Sequence, residues 1–470
     1  MTVQMRVYPQ TAGVAPGGTI VLCMSPGTPA FRVAFLRQLG TAALAYLDPP
    51  EVAGLQFVTR VDPATFSSAP VASPALSDLD HAWPQIVFRV PAAWDSGVYF
   101  AAAYPVDANG LPTDALGTAI VGKQAIVPIP PLADGLALFV VHPTAARRKI
   151  VYIVAISNYQ AYNDEGSGGF YSGRLAVTWR RPGGGVGNPP RVKEADPNDT
   201  QSNRNTYMHW DAKFIAWLSQ QGIACDFYTS ADLEQGCLLS GGVPAYELML
   251  SIGHDEYWST PMVNAVSAFI GAGGNLAVFS GNTCYRPVAY DAGDTGMLMT
   301  RIAESWANVD EAPVIGTTSQ AGAGMWMGQR PPLGLSVQQP AHWVFAGAGV
   351  TSTTVLAPGT GSTGGRLAGY EVDGLYAGKS PAAAVVLANA FPPIGPWERL
   401  GTPPGAPPAV CDMVIFGAGA ATPPPGTIAN TVFNASTTDW ARVLTDTTEP
   451  DQPKLQTITL NVIRKLANAS

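Results

Sequence analysis

The densest cluster of chemically capable side chains lies at residues 253–259, which read GHDEYWS. If this segment is extended, His254 and Glu256 point to the same side of the chain. An imidazole and a carboxylate on one rim can hold a metal ion or transfer protons. The structural alternative is that Glu256 caps the following helix and His254 bonds to the backbone. Composition alone does not decide between the two.

Residues 158–173 contain two more candidates, Tyr162 and Tyr171, in a polar, glycine-rich segment that we predict to be a loop. The segment lacks the Lys-Ser/Thr ending of a phosphate-binding loop, so nucleotide binding is unsupported. A tyrosine is more often a packing residue with a bonded hydroxyl than a ligand. Either tyrosine alone is therefore a weak signal.

Cys284 follows another predicted strand and suggests a nucleophile with His254 as its base. The strand runs into residues 280–282, SGN, and not into a sharp nucleophile elbow that carries the cysteine, which argues against this interpretation. The remaining histidines stand alone in the sequence and leave a zinc hydrolase site poorly supported. They are His81, His142, His209 and His342.

The elements that must position these side chains alternate between strand and helix over residues 146–330. This order predicts a doubly wound, parallel sheet. The predicted buried strands are the continuous apolar runs at residues 149–156, 247–252 and 275–279. Residues 211–220 carry an apolar face typical of a helix, and Thr260 begins a second helix. Ligands bind beyond the carboxyl ends of parallel strands, so we expect the polar segments that follow these strands to be spatial neighbours.

The two ends of the chain are richer in strands. Short β-branched and apolar runs separated by Pro and Gly predict a β-sandwich domain for residues 1–145. The α/β domain at residues 146–330 is followed by a strand-rich extension at residues 331–470, which returns to that domain and ends in a helix at 457–466. The predicted fold class is multidomain β plus α/β.

Composition excludes several classes of protein. The 470 residues include 50 Gly and 42 Pro, only 13% are charged, and the net charge is -8. Such a chain is not a long helical bundle, and an acidic chain without a basic stripe has no nucleic-acid partner. No signal peptide is visible, and no apolar stretch reaches the roughly 18 residues that cross a membrane. Five scattered cysteines favour a reducing compartment, so we expect a cytoplasmic protein with no membrane partner.

Several short segments, taken in order, resemble the large (β) subunit of N,N-dimethylformamidase and its broad family of bacterial relatives. The most specific is GHDEYWS, and the set extends from Trp94 to the end of the chain. The segments are WDSGVY at 94–99, QAYN at 160–163, GGFY at 168–171, GHDEYWS at 253–259 with Met262, GGNL at 273–276, SGN at 280–282, GYEVD at 369–373 and TLNV at 459–462.

The resemblance implies a β-sandwich followed by an amidotransferase-like α/β domain with a mononuclear iron, held by two tyrosinates and one glutamate. Glu256 matches the glutamate, and Tyr162 matches one tyrosine. Tyr99 is the first choice for the second tyrosine, and Tyr171 is the alternative. Phenolate and carboxylate are hard, anionic donors that suit Fe(III), and three anions balance its charge.

The resemblance also implies that His254, Asn282 and Glu371 surround the metal. His254 would fix the carboxylate of Glu256, Asn282 would stabilise an oxyanion, and Glu371 would move a proton to the leaving amine. The sequence departs from its relatives at residues 283–287, TCYRP, where they tend to have an aromatic pair. A lysine near the relatives' pocket has no clear match, with Arg301 as the nearest substitute.

The leading hypothesis is an iron-dependent hydrolase that acts on a non-peptide amide C–N bond of a small molecule. The chain could act as a homo-oligomer or with the small partner subunit that the family implies. Three alternatives stay open: a non-catalytic sugar- or peptide-binding protein on the same fold, an iron enzyme of lyase or redox type, and a metal-free hydrolase built on Cys284 and His254.

Overall fold

The computed structural model describes residues 5–26, 31–38, 55–61, 83, 85–105, 136–164, 168–183, 195–196, 199–203, 206–291, 297–325, 333–359, 366–393, 408–421 and 428–468. Strands are the main elements, arranged in several sheets with some helices, which confirms the predicted β-rich character and is consistent with the predicted multidomain fold. The likeness to a particular sandwich or amidotransferase fold stays a prediction. His81 lies outside the described residues. Within them, no helix has both the length and the apolar character needed to span a membrane.

Two sheets form the N-terminal part of the molecule, in the orders β1-β3-β6 and β2-β8-β7-β4-β5. Phe35 of the second sheet stacks on Phe88 of the first at 4.1 Å, and one apolar cluster contains side chains from both. The sheets therefore pack face to face. Their strands are β1 (Met5–Pro9), β2 (Gly13–Val14), β3 (Thr19–Pro26), β4 (Phe31–Gln38), β5 (Leu55–Val61), β6 (Gln85–Arg89), β7 (Gly97–Pro105) and β8 (Leu136–Val141).

Strands and helices alternate through the middle of the chain. They are β9 (Ile150–Val154), α1 (Ile156–Tyr162), β10 (Ala176–Thr178), β11 (Ala195–Asp196), β12 (Asp199–Asn203), α2 (Asp211–Gln220), β13 (Asp226–Thr229), α3 (Ser230–Glu234), β14 (Leu239–Ser240), β15 (Val243–Pro244), β16 (Leu248–His254), β17 (Tyr257–Ser259), α4 (Thr260–Gly271), β18 (Asn275–Gly281), β19 (Arg286–Tyr290), β20 (Leu298–Arg301), α5 (Ala312–Ile315) and β21 (Thr318–Gly324).

The C-terminal part adds strands and then two helices. They are β22 (Leu335–Val337), β23 (Val355–Leu356), β24 (Glu371–Gly374), β25 (Val385–Ala390), β26 (Cys411–Gly417), β27 (Thr431–Asn434), α6 (Trp440–Thr445) and α7 (Gln452–Leu466). Helix α7 covers the predicted terminal helix and begins one turn earlier, with Pro453 in its first turn.

A nine-stranded sheet has the order β13-β9-β16-β18-β27-β26-β25-β22-β23. The first five strands in this order, β13, β9, β16, β18 and β27, pair in parallel with one another. From β27 onwards, each strand pairs antiparallel with the next. The parallel pairing of β9, β16 and β18 confirms the predicted buried strands. Strand β27 lies directly beside β18, so the C-terminal part of the chain completes this sheet.

Both faces of the sheet are covered, and every residue of β9, β16 and β18 is buried. Successive side chains of a strand enter opposite cores. Val151 and Ile153 of β9 pack with residues of α3 and α4, whereas Tyr152 and Val154 pack with residues of α2, α6 and α7. This two-sided burial explains why these strands are continuous apolar runs in the sequence.

Two predicted helices are confirmed, and one predicted loop is wrong in part. Helix α2 has the predicted bounds, and α4 begins after Ser259, whose hydroxyl accepts a hydrogen bond from the first turn at 3.2 Å. Residues 158–173 begin inside helix α1. The side-chain amide of Gln160 in α1 donates to buried backbone carbonyls of Val177 and Met297. Because α1 buries polar side chains, its sequence lacks the apolar stripe of a surface helix.

A four-stranded sheet, in the order β10-β20-β19-β17, joins the segments that follow the central strands. Only two residues separate β16 from β17, which pairs in parallel with β19 and aligns Tyr257 with Arg286. Strand β10 comes shortly after Tyr171 and pairs with β20. Segments that are distant in sequence are thereby held side by side.

Gly253 is required where β16 approaches the start of α2. Its φ is +73°, and a Cβ added there would lie 2.4 Å from Cβ of Trp210. We expect Gly253→Ala to lower the free energy of unfolding by roughly 2–5 kcal/mol, since left-handed backbone strain and overpacking both contribute. Urea unfolding followed by circular dichroism measures this loss.

Gly222→Ala is the matched control, because Gly222 also has a positive φ, +68°, but no atom lies within 4 Å of its added Cβ. This variant should lose only the backbone contribution, about 1 kcal/mol. Equal decreases in the free energy of unfolding of the two variants would show that the contact of the added Cβ with Trp210 does not destabilise the protein.

Candidate metal centre

Polar side chains from neighbouring strands meet at the carboxyl end of the central sheet. Strand β9 leads into α1, which ends at Tyr162. Strand β16 ends at His254, Glu256 follows two residues later, and Asn282 comes directly after β18. These segments are spatial neighbours because the carboxyl ends of parallel strands meet at one edge of a sheet.

Three side-chain groups bring oxygen atoms together at this edge. The hydroxyl of Tyr162 donates to Oε2 of Glu256 at 3.0 Å and lies 3.1 Å from the hydroxyl of Tyr171. The hydroxyl of Tyr171 is 3.4 Å from Oε1 of Glu256. The two tyrosine rings stack with their centroids 4.6 Å apart. Tyr171 is held in a short 3-10 helix, Phe170–Ser172.

The surroundings keep both phenols protonated. Burial, and then the nearby carboxylate of Glu256, raise the pKa of Tyr162 well above its ordinary value. The same causes raise the pKa of Tyr171. Although 43% of Tyr171 is exposed, its hydroxyl lies between those of Tyr162 and Tyr257, at 3.1 and 2.6 Å. A cation at this point is what would convert the phenols into phenolates.

Tyr99, the first choice for the second tyrosine, lies elsewhere. Its ring stacks on Trp94 at 4.6 Å, and its hydroxyl donates to the backbone carbonyl of Asp95 at 2.9 Å. It belongs to β7, and the alternation of side chains along that strand directs it into the core between the N-terminal sheets. The structure does not bring Tyr99 to Glu256, and Tyr171 is the tyrosine that lies beside Tyr162.

Two residues that the sequence analysis missed complete the surroundings of Glu256. Nε of Arg286 donates to Oε1 of Glu256 at 2.7 Å. The hydroxyl of Tyr257 lies 2.6 Å from that of Tyr171. Tyr257 could have been found as the neighbour of Glu256 in sequence. Arg286 could not, because only the pairing of β17 with β19 places it there.

His254, Asn282 and Glu371 form a second polar group, here named the acid–base group. Nε2 of His254 is 2.7 Å from Oε2 of Glu371 and 3.4 Å from Oε2 of Glu256. Nδ2 of Asn282 donates to Oε1 of Glu371 at 3.1 Å. Burial opposes a charge on His254, but the carboxylates of Glu371, Glu256 and Asp373 together outweigh this effect and raise the pKa of the imidazole. A proton can therefore be held between His254 and Glu371 beside Glu256.

Asp373 fixes the loop that carries Asn282. One carboxylate oxygen accepts the backbone N–H of Asn282 at 3.0 Å, and the other accepts that of Thr283 at 3.3 Å. Asn282 has a φ of 52°, a left-handed conformation that asparagine tolerates better than most residues. Asp373 and Glu371 both belong to β24, so one strand sets the position of Asn282 relative to Glu371.

Arg181 fixes the segment that carries the two tyrosines. It is buried, and its guanidinium donates short hydrogen bonds to this part of the backbone. The acceptors are the carbonyls of Gln160 at 2.6 Å, Gly168 at 2.7 Å and Thr178 at 2.9 Å. The end of α1 and the start of the Tyr171 loop are therefore tied to one cation.

Cys284 lies in an apolar core and not in an activating environment. It is 1% exposed and packs in the cluster that contains Met262 and Trp306. Burial, and then nearby carboxylates, raise the pKa of its thiol well above the ordinary value. A thiolate is disfavoured here, which argues against the nucleophile hypothesis.

The spacing of the three oxygen groups fits a metal ion. Ligands about 2.0–2.1 Å from a metal lie roughly 2.9 Å apart at octahedral angles and roughly 3.3 Å apart at tetrahedral angles. The Tyr162 hydroxyl lies 3.0 Å from Oε2 of Glu256 and 3.1 Å from the Tyr171 hydroxyl, which match these spacings. The Tyr171 hydroxyl is 3.4 Å from the other carboxylate oxygen, Oε1. Among the described residues, no group of three or more His, Cys, Asp and Glu side chains could hold a metal. A metal centre here therefore needs the tyrosine oxygens.

Arg181→Met should lower the free energy of unfolding by roughly 3 kcal/mol, because it leaves buried carbonyls without their charged donor. Urea denaturation of the metal-free protein measures this change. Arg180→Met is the control, since Arg180 is only partly buried and its Nε donates to the carbonyl of Gln10 at 3.1 Å. The free energy of unfolding of Arg180→Met should fall by less than about 1.5 kcal/mol. Equal decreases in the two variants would show that Arg181 does not stabilise the fold more than Arg180 does.

Cys284 should resist iodoacetamide at pH 8 in the native protein, because its thiol is buried and its pKa is raised. Peptide mass spectrometry should find it alkylated only after unfolding in guanidinium. Rapid labelling of the native protein, together with loss of activity, would revive the hydrolase built on Cys284 and His254.

Comparison with known proteins gives a family. A search of curated proteins finds no match. A family model described as "N,N-dimethylformamidase beta subunit-like, C-terminal" matches residues 51–452. The match covers most of the 470 residues and contains every side chain of the site, from Tyr162 to Glu371. The chain therefore belongs to the N,N-dimethylformamidase beta subunit-like family.

Proposed function

We propose that this chain is an iron-dependent hydrolase that cleaves the C–N bond of a small, non-peptide amide. Tyr162, Tyr171 and Glu256 hold Fe(III) in this proposal, and the dimethylformamidase-like family supports the reaction class. The observation that carries it is the meeting of three oxygen donor groups 3.0 to 3.4 Å apart, directly beside the acid–base group.

The donor set suits the ion and the reaction. When bound, Fe(III) supplies a Lewis acid that polarises an amide carbonyl and lowers the pKa of water. Two phenolates and one carboxylate are hard donors whose charges balance a trivalent ion in a poorly solvated place. Because Tyr162 and Tyr171 are protonated without a cation, they lose their protons when the ion binds.

Asn282 is placed to stabilise the negative charge that develops on the carbonyl oxygen. Its side-chain amide is a neutral donor, and it is fixed on one side by Glu371 at 3.1 Å. The backbone of Asn282 is fixed by Asp373 at 3.0 Å. A donor that needs no rearrangement during the reaction stabilises a developing oxyanion most effectively.

Glu371 and His254 carry the proton. Hydrolysis forms a C–O bond from water, breaks the C–N bond, and moves one proton from the water to the leaving amine nitrogen. Glu371 takes that proton and returns it to the nitrogen, since a neutral amine is a better leaving group than an amide anion. His254, 2.7 Å away, stabilises the carboxylate of Glu371 before it takes the proton and after it returns it.

The proposal includes a partner. The description of the family names a beta subunit, so we include either a small partner subunit or a second copy of the chain. The substrate is a small-molecule amide, with N,N-dimethylformamide, formamide and acetamide as the first compounds to assay.

Glu256→Ala and Tyr171→Phe should each lose the iron, because each removes one anionic donor from the centre. We expect metal affinity to fall by at least roughly 100-fold, and the tyrosinate-to-Fe(III) absorption band to disappear. Elemental analysis and visible spectroscopy measure both effects, and amine release from the three amides measures activity, which should fall to background.

Two variants are matched controls for these losses. Glu304→Ala removes a carboxylate that is 70% exposed, and Tyr99→Phe removes a phenol in the N-terminal core. Both should keep iron, colour and activity. Full iron retention by Glu256→Ala, or iron loss from Tyr99→Phe, would contradict the ligand set. An iron-loaded protein that hydrolyses none of the amides would favour lyase or redox chemistry.

A further inference from the structure

We propose that Arg286 is a positioning residue of the candidate metal centre, and that it acts through Glu256. Its guanidinium holds one carboxylate oxygen, leaves the other for the metal, and raises the reduction potential of an iron ion bound there. The inference rests on the proposed function, because it concerns the same centre, but it assigns a role to a residue that is not a ligand.

The contact between Arg286 and Glu256 is fixed at two levels. The side chains are 5% and 1% exposed, and Nε of Arg286 donates to Oε1 of Glu256 at 2.7 Å. The backbone N–H of Arg286 donates to the carbonyl of Glu256 at 3.0 Å. The guanidinium also lies over the ring of Tyr171, 5.9 Å from its centroid. The backbone bond keeps residues 256 and 286 side by side, and the side-chain bond directs the guanidinium to Oε1 of Glu256.

This contact makes the two oxygens of Glu256 unequal. Oε1 accepts the charged hydrogen bond from Arg286, whereas Oε2 accepts the hydroxyl of Tyr162 at 3.0 Å. Oε2 is therefore the oxygen available to a metal ion. A hydrogen bond to the far oxygen withdraws electron density from the carboxylate and makes it a weaker donor to the metal.

The positive charge of Arg286 changes the net charge of the proposed centre. Two phenolates and one carboxylate carry three negative charges, and Arg286 cancels one of them. The three donors alone balance ferric iron. With Arg286 counted as well, the ferric centre carries one excess positive charge and the ferrous centre carries none. Buried charges are screened little by solvent, so this excess is felt at the metal. Glu304 also pairs with Arg286, but its side chain is 70% exposed and its charge is well solvated.

Arg286→Met removes the charge and the hydrogen bond while keeping a long, apolar side chain. Ferric iron should be favoured over ferrous iron by at least about tenfold more than in the parent protein, which corresponds to a midpoint potential lower by about 59 mV. The tyrosinate-to-Fe(III) band should move to shorter wavelength, because the metal becomes a weaker electron acceptor. Spectroelectrochemical titration measures both, without reference to activity.

Two further variants distinguish an effect on the reduction potential from an effect on the folded structure. Arg301→Met is the matched control, since Arg301 contacts Glu304 at 3.3 Å and its side chain is 20% exposed. It should leave potential and band unchanged. Arg286→Lys keeps the charge without the Nε donor and should restore most of the potential.

Each result decides the question. A lower potential in Arg286→Met, with Arg301→Met unchanged, supports the inference. Iron-loaded Arg286→Met with the parent's potential and band overturns it and leaves the proposed function standing. Loss of iron from both Arg286→Met and Arg286→Lys overturns the tuning role in favour of structural support. A parent protein that binds no iron overturns the inference and the proposed function together.

Discussion

Burial of the Glu256 carboxylate is the constraint on which the rest of the site depends. An uncompensated carboxylate in the interior costs several kcal/mol, so each neighbouring element must supply a partner. Tyr162 and Arg286 donate to it at 3.0 and 2.7 Å, while His254 and Tyr171 lie at 3.4 Å. Phenols, an imidazole and a guanidinium are thereby brought within reach of one anion, and two of these partners, Tyr162 and Tyr171, are the tyrosines of the proposed metal centre.

The parallel order of β9, β16 and β18 makes this convergence possible, because their carboxyl ends lie at one edge of the sheet. This arrangement of strands is enough to place Tyr162, Glu256 and Asn282 at the site. The remaining groups come from outside this set of strands: β19 delivers Arg286, and β24 delivers Glu371. The site is thus built where the nine-stranded sheet meets the four-stranded sheet and the β21–β24 pair, and the short strand β17 of the four-stranded sheet follows directly after Glu256.

The sequence could predict what depends on strand order and local pattern. His254, Glu256 and Asn282 stand at the ends of recognisable buried strands, so their meeting was expected. The sequence wrongly predicts Tyr99 as a ligand. A tyrosine that follows a turn has the same sequence pattern whether its strand leads to the site or packs in a separate core. The position of Tyr171 depends on a short 3-10 helix held by Arg181, and such long-range contacts leave no periodic signal in the chain.

The contact of Arg286 with Glu256 would change the reactivity of the proposed centre without changing which residues are its ligands. Oε2 faces Tyr162 and His254, and Oε1 faces Arg286. A change behind Oε1 alters the electron density of the carboxylate without displacing Tyr162, because α1 is anchored independently by the bonds of Arg181. If the three donors hold iron as proposed, the centre would be a stronger or a weaker Lewis acid depending on the residue at position 286.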